Sequence, residues 1–251
     1  YDDSIRHAIS KLSHLHFVAA EEYRKRVVQL GETPEHVFNV GALALDSIAG
    51  AKLLSRSQFE KSIGHSLAKR NLLITFHPST ADGLDAATQF AELLKALDRL
   101  KETLLIFTMP NADTGGRVLF NLVERYVKEN PEKALAFASL GRIRYLSAMR
   151  FVDAVAGNSS SGIVEAPSFK IGTVNIGSRQ QGRIRAASVI DCPARASAIS
   201  AAFAKLYSES FQKALASVES PFGKPGASKR ILSILKKADL NKLPLKSFHD
   251  L

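Results

Sequence analysis

The stretch Val152-Asp153-Ala154-Val155-Ala156-Gly157-Asn158-Ser159-Ser160-Ser161-Gly162-Ile163-Val164-Glu165 decides the fold. Residues 152–156 are almost wholly apolar, too short for a helix and bounded by glycine, so they read as a buried strand. Residues 157–162 form a loop of small residues. A short helix follows, carries Glu165, and ends at Pro167. Strand, small-residue loop and helix in immediate succession make the repeating unit of a parallel α/β sheet.

The same stretch also suggests chemistry. A helix start presents unpaired backbone N–H groups and the positive end of the peptide dipoles, which suits an anion such as a diphosphate. Ser159 and Ser160 add hydroxyl donors. The bland alternative is that Asn158 and the serines merely cap the helix. Glu165 lies about a turn beyond, where a carboxylate can accept both hydroxyls of a ribose, or can simply be solvated. The residues alone leave both pairs of readings open.

Working outward, apolar β-branched runs at 16–20, 37–40, 72–76, 103–109, 135–139 and 171–176 join 152–156 as expected strands. Helical patterns are expected at 4–15, 21–31, 56–65, 80–100, 116–129, 142–150, 195–208 and 228–238. The clearest is 80–100, with Asp82 and Asp85 in its first turn and Phe90, Leu93, Leu94 and Leu97 at helical spacing. Segment 217–229, rich in Ser, Pro and Gly, reads as a loop. Residues 1–40 read as the end of one domain and 41–251 as a second.

In open α/β sheets, ligands bind beyond the carboxyl ends of the strands. The strand exits here are Gly41, His77-Pro78, Pro110-Asn111-Ala112-Asp113, Leu140-Gly141, the 157–162 loop, and Gly177-Ser178-Arg179. His77 follows an apolar strand and precedes a proline, which limits its conformations. An imidazole there can donate to a phosphate or move a proton, or it can be a buried histidine bonded to backbone.

Composition narrows the classes. The chain has 251 residues, 45% of them hydrophobic and 23% charged, as expected of a globular protein with a core of its own. The net charge is +10, which raises nucleic acid as a partner. The basic residues are dispersed, however, and are densest at Arg142/Arg144/Arg150 and Arg179/Arg183/Arg185, with no basic-aromatic ladder. A small phosphate-bearing ligand is the better expectation, with no nucleic acid.

The single cysteine, Cys192, rules out an intrachain disulfide and Cys-based zinc sites, and fits a reducing, cytoplasmic compartment. No apolar run approaches the ~18 residues of a membrane span. HExxH, P-loop and GxGxxG patterns are absent, so no metal is expected. The chain opens Tyr1-Asp2-Asp3-Ser4 with no initiator methionine or signal peptide, and reads as the middle of a protein.

Several of these residues carry a family resemblance. Asp2-Asp3-Ser4-Ile5-Arg6-His7-Ala8-Ile9, His16-Phe17-Val18 and Gly41 come first, followed by His77-Pro78, Pro110-Asn111-Ala112-Asp113, the stretch from Gly157 to Glu165, and Asn175-Ile176-Gly177-Ser178-Arg179-Gln180-Gln181-Gly182-Arg183. Together they resemble, in order along nearly the whole chain, hydrolysing UDP-N-acetylglucosamine 2-epimerases. The acidic residue before Ser-Gly-Gly and the Arg-x-x-Thr-Glu-Arg-Pro-Glu stretch of the non-hydrolysing relatives are missing. Lys170 and Gly172 depart from the Gly and Pro that members often have there.

The resemblance implies an α/β fold. It would be the Rossmann-like, doubly wound parallel sheet of the C-terminal domain of a two-domain enzyme like the GT-B glycosyltransferases, preceded by the tail of the N-terminal domain. It implies that Ser159 and Ser160 hold a diphosphate, Glu165 the ribose, and the Leu140 backbone the uracil. Gly41, Asn111 and Arg179 would line the nucleotide-sugar site. His77 would assist departure of UDP, Asp2 would be a catalytic carboxylate, and Arg6 and His7 would stand near it.

The reaction would eliminate UDP and then hydrate the resulting glycal, releasing N-acetylmannosamine for sialic-acid-type synthesis without a cofactor. The substrate would be UDP-N-acetylglucosamine or a related UDP-2-acetamido sugar, and the enzyme a cytoplasmic homo-oligomer, dimer or tetramer. A piece of this extent would lack part of the active site. A GT-B glycosyltransferase donor domain and a non-catalytic nucleotide-sugar-binding module remain the alternatives.

Overall fold

The computed structural model describes residues 2–78, 85–110, 115–239 and 246–250. The chain divides into two compact units, Tyr1–Gly50 with Pro221–Leu251, and Ala51–Ser220. This differs from the expected boundary after residue 40 with a single domain beyond it, because residues 41–50 and the C-terminal segment pack with the first unit.

The first unit contains α1 (Asp2–Leu12), β1 (His16–Val18), α2 (Glu21–Gln29), β2 (Val37–Asn39) and α3 (Leu43–Ala49). Strands β1 and β2 pair in parallel, His16 opposite Val37. The chain's last helix joins this unit and is started by a side chain from α3. The Asp46 carboxylate accepts hydrogen bonds from the backbone N–H groups of Gly226, Ala227 and Ser228 and from the Ser228 hydroxyl. Those donors hold the Asp46 carboxyl well below the usual carboxylate range.

The C-terminal segment is tied in at a second place. Glu32 is only 2% exposed, and its carboxylate meets Lys11 Nζ at 2.7 Å, His16 Nε2 at 2.8 Å and Lys246 Nζ at 2.7 Å. Lys246 also donates to the carbonyls of Ser10, Lys11 and Ser13, at the carboxyl end of α1, where a cation is favoured.

The second unit runs α4 (Arg56–Ile63), β3 (Arg70–Thr75), α5 (Ala86–Leu97), β4 (Thr103–Thr108), α6 (Gly116–Glu129), β5 (Ala134–Phe137), α7 (Gly141–Ala148), β6 (Ala154–Gly157), α8 (Ser161–Val164), β7 (Gly172–Ile176), β8 (Val189–Cys192), α9 (Ala196–Leu206) and α10 (Glu209–Leu215). The final helix of the first unit is α11 (Ala227–Lys237). Helix starts follow local chemistry: Ser55 and Gln58 form a reciprocal capping box at α4, and Asp85 accepts from Thr88 N at 2.9 Å at α5.

All six strands of this unit are parallel, in the order β5-β4-β3-β6-β7-β8. Numbered within the unit this is 3-2-1-4-5-6, the order of a doubly wound Rossmann sheet, and the expected fold class holds. The strand order reverses between β3 and β6, so a crevice opens at their carboxyl ends.

Side-chain alternation fills both faces. Leu72, Ile74, Leu105 and Phe107 point to one core with Phe90 and Leu93 of α5, Val123 of α6 and Phe203 of α9. Leu73, Leu104, Ile106 and Val155 point to the other, with Phe59 of α4 and Ala148 of α7. A buried Leu or Phe contributes about 1.5–3 kcal/mol by leaving water. The inner strands therefore read as unbroken apolar runs rather than as alternating patterns.

Strand β8 and helices α3 and α10 were not expected, and α11 begins inside the expected loop at 217–229. Residues 80–84, expected to begin the helix that is α5, lie outside the described residues. Among the described residues, no helix is long and apolar enough to cross a membrane.

Candidate functional site

A cavity of about 420 Å³ opens in the second unit and is lined by the carboxyl-end residues of β3 and β4, the segment after β5 and the start of α7, and the loop after β6. Of the residues singled out in the sequence, His77, Leu140, Ser159 and Glu165 line it together. Its position at the strand-order reversal is where the topology expects a ligand.

The floor is held by one asparagine. Asn158 is 1% exposed, and its side chain grips the main chain of His77: Oδ1 accepts from His77 N–H at 2.7 Å and Nδ2 donates to the His77 carbonyl at 2.8 Å. Its own carbonyl accepts from Arg179 Nη1 at 3.1 Å and Gln180 Nε2 at 2.8 Å. The loops after β3, β6 and β7 are thereby linked. Asn158 is not a helix cap, and Arg179 donates to the Asn158 carbonyl in the 157–162 loop and is not among the cavity-lining residues.

Gly157 is required at this seam. Its φ is +129°, and a Cβ there would lie 2.0 Å from the Thr75 carbonyl oxygen. Gly162 permits a similar approach to β7, since a Cβ would lie 2.6 Å from Thr173 Cγ2. Ser160 stands at the N-cap of α8, and its side chain makes no capping bond. Ser159 Oγ accepts from Ser161 N at 3.4 Å.

Hydroxyls absent from the sequence expectation crowd the cavity. Tyr145 OH lies 2.5 Å from Ser161 Oγ, and Thr75 and Ser159 line the same cavity. Thr75 Oγ1 lies 2.6 Å from Thr108 Oγ1, its register partner across β3 and β4. Burial pushes the Tyr145 phenol up, against the opposing pull of Ser161, so it is a neutral donor at physiological pH. Burial also pushes the Glu165 carboxyl up, offset in part by a hydrogen bond from Ser161. Arg142 is the cation that lines the cavity. An acceptor carboxylate, a cation, an imidazole and a set of hydroxyls around one cleft suit a polar anionic ligand with vicinal hydroxyls.

The remaining expected residues lie elsewhere. Asp2, Arg6 and His7 lie on α1 in the first unit, Arg6 and His7 with exposed side chains. Gly41, also in the first unit, has φ +79° and sits beside the Phe222 carbonyl, 3.1 Å from where a Cβ would be. Asn111 lies outside the described residues. Among the described residues, no group of three His, Cys, Asp or Glu side chains is placed to hold a metal ion.

Comparison with known proteins adds a family. Residues 1–236 match the model for "UDP-N-acetylglucosamine 2-epimerase". The chain is 43% identical over 251 residues to a GDP/UDP-N,N'-diacetylbacillosamine 2-epimerase (hydrolysing) of Campylobacter jejuni, covering 100% of this chain and 65% of that one. It is 39% identical over 237 residues to the polysialic acid biosynthesis protein P7 of Escherichia coli, covering 94% of this chain and 60% of that one. The crystal structure of a UDP-GlcNAc 2-epimerase from Neisseria meningitidis bound to UDP-GlcNAc superposes with a TM-score of 0.67 at 18% identity, over 91% of this chain and 62% of that one. The chain thus spans somewhat under two thirds of these relatives.

Proposed function

Because the chain belongs to the UDP-N-acetylglucosamine 2-epimerase family, we propose that it supplies the nucleotide-gripping part of a hydrolysing UDP-sugar 2-epimerase. The observation that carries this reading is the convergence of His77, Leu140, Ser159 and Glu165 on one cavity at the strand-order reversal. Glu165 accepts the ribose hydroxyls, the backbone at Leu140 meets the base, and Ser159 and Ser160 donate to the diphosphate. Arg179 supports the loop that carries those serines. Arg6, His7, Gly41 and Asn111 belong to the same proposed site.

The chemistry follows from what the leaving group needs. A base removes the C2 proton of the sugar as the C1–O bond to UDP breaks, and the electron pair of the C–H bond becomes the C1–C2 double bond. His77, held by Asn158, donates to the departing diphosphate and offsets its developing charge. Water then adds across the double bond, hydroxyl to C1 and proton to C2 on the opposite face, giving the free C2-inverted sugar. Asp2 is the proposed carboxylate for proton transfer. No electrons leave the substrate, so no cofactor is invoked.

The 43% identity to a protein named for UDP-N,N'-diacetylbacillosamine supports a 2-acetamido sugar of that type or UDP-N-acetylglucosamine as substrate. The likeness to a polysialic acid biosynthesis protein supports a product used for sialic-acid-type sugars. The proposed enzyme is a cytoplasmic homo-oligomer with no nucleic-acid or membrane partner.

The test incubates the full-length protein with each nucleotide sugar. Stoichiometric UDP and a free sugar inverted at C2 are expected. A UDP-linked epimer, or turnover only when an acceptor is added, would overturn the reading. Asp2→Asn is expected to keep UDP binding while turnover falls about 10³-fold.

A further inference from the structure

We infer that Gln180 is a positioning residue that acts through the Asn158 carbonyl to aim the Ser159 backbone N–H at the anionic end of the ligand. The inference rests on the reading of the 157–162 loop as the holder of a diphosphate.

Every polar group of Asn158 has a partner. Its N–H donates to the Thr75 carbonyl at 3.1 Å. Its side-chain amide is spent on the His77 main chain. Its carbonyl accepts from Gln180 Nε2 at 2.8 Å and from Arg179 Nη1 at 3.1 Å. The next donor along the chain differs: Ser159 N–H meets no acceptor among the described residues.

The Asn158 carbonyl and the Ser159 N–H belong to one peptide bond. In a planar trans peptide the two point in opposite directions. The carbonyl points to Gln180 and Arg179, neither of which lines the cavity, whereas Ser159 does. Tying down that carbonyl therefore turns the Ser159 N–H to the cavity side. A peptide oxygen that accepts hydrogen bonds also polarises its own N–H into a better donor.

Gln180 is 1% exposed. Only its amide nitrogen can face a carbonyl, so the amide has one orientation. Its Oε1 is then buried with no hydrogen-bond partner among the described residues. A buried unpaired oxygen lowers stability, so an apolar side chain of the same length would suit the interior as well. The bond to Asn158 is what a glutamine adds. Arg185 fixes the main chain beneath it, donating from Nη2 to the Gln180 carbonyl at 3.1 Å and from Nη1 to the Arg183 carbonyl at 3.0 Å. The Asp191 carboxylate, held by Asn175 Nδ2 at 2.6 Å, pairs with the Arg185 guanidinium at 3.1 Å. From β8 to the cavity, Asp191, Arg185, Gln180, Asn158 and Ser159 are joined in turn by an ion pair, a hydrogen bond, a second hydrogen bond and a peptide bond.

The experiment uses the full-length protein with nitrogen-labelled serine, and UDP as the probe. The Ser159 amide resonance is assigned by its loss in Ser159→Ala, and dissociation constants come from calorimetry. Gln180→Met keeps length and volume while removing the donor and the unpaired oxygen together. Its denaturation midpoint should stay close to the wild type. UDP should bind roughly three- to tenfold more weakly. UDP should move the Ser159 amide downfield in the wild type, and that movement should shrink in the variant. Arg185→Lys keeps the charge but lacks the fork that reaches both carbonyls. It should shrink the Ser159 movement too, with the double variant binding no more weakly than Gln180→Met alone. If Gln180→Met does not fold, Arg185→Lys carries the same readout.

A variant whose Ser159 amide responds to UDP as the wild type does overturns the inference. So does a Gln180→Met affinity within about twofold of the wild type, or additive losses in the double variant. If the wild type binds UDP without moving the Ser159 amide, the inference fails and the nucleotide site stands. If the wild type binds no UDP, it is the reading of the cavity as a nucleotide site that fails.

Discussion

The side-chain amide of Asn158 and the main chain of His77 form a closed two-bond ring, N–H to Oδ1 at 2.7 Å and Nδ2 to carbonyl at 2.8 Å, joining the ends of the two strands between which the sheet order reverses. The backbone at His77 is thereby fixed before any ligand arrives. Asn158→Ala removes both bonds and strands two buried backbone groups, costing about 2–4 kcal/mol. Chemical denaturation should show that loss, and UDP release by the full-length protein should slow more than UDP binding weakens.

Gly157→Ala should be worse than Asn158→Ala. The new methyl would meet the Thr75 carbonyl at 2.0 Å, and φ of +129° is closed to alanine. The seam between β3 and β6 must part, at a cost of about 3 kcal/mol or more. A thermal melt that matches the wild type would contradict this placement of the two strands.

Glu165→Gln keeps the shape and removes the charge. If the carboxylate accepts two ribose hydroxyls, UDP affinity should drop about 10–100-fold. The wild type should discriminate against 2'-deoxy-UDP and the variant should not. Equal discrimination by both proteins would remove Glu165 from the ribose. Because burial raises the Glu165 carboxyl above the ordinary carboxylate value, wild-type affinity should begin to fall on acidification sooner than an exposed glutamate would allow.

The first unit should show its own acid sensitivity. Burial raises the Glu32 carboxyl, but hydrogen bonds from Lys11, Lys246 and His16 outweigh it and hold it at about 2. A depressed folded-state value stabilises above the unfolded-state value and is lost as pH falls through the folded one. Stability should therefore decline between about pH 4.5 and about pH 2, by about 3 kcal/mol at most. Glu32→Gln should flatten that window in a urea-denaturation series. A variant as acid-sensitive as the wild type would place the loss elsewhere.

What was legible in the sequence follows from pattern length. Strands β3, β4 and β6 are apolar throughout because both faces are covered, and nothing else short and apolar imitates that. Strand β8 escaped notice because it lies at the sheet edge, where Asp191 is exposed and only Ile190 is buried. Helix α3 has no side-chain cap of its own to announce it, and its Asp46 serves a helix 180 residues later.

The site divides in the same way. His77, Ser159 and Glu165 stand at strand exits, where polar residues draw attention. Tyr145 lies inside a helical pattern, and Thr75 and Thr108 inside strands that otherwise look like core. Only the register that sets Thr75 beside Thr108 reveals them as a polar row. Capping stays one of the open readings of Asn158 in the sequence, because asparagine often caps a helix start. Its real partner is 81 positions away in sequence.

The discontinuity of the first unit has a consequence for biosynthesis. Residues 51–220 can complete their sheet once they have left the ribosome, since each of its strands comes from that span. The unit that contains residues 1–50 stays unfinished until residues 221–251 emerge. Until then Asp46 has no helix to start and Glu32 lacks Lys246. A nascent chain arrested before residue 221 would thus carry a completed six-stranded sheet while residues 1–50 still lacked the segment that packs with them.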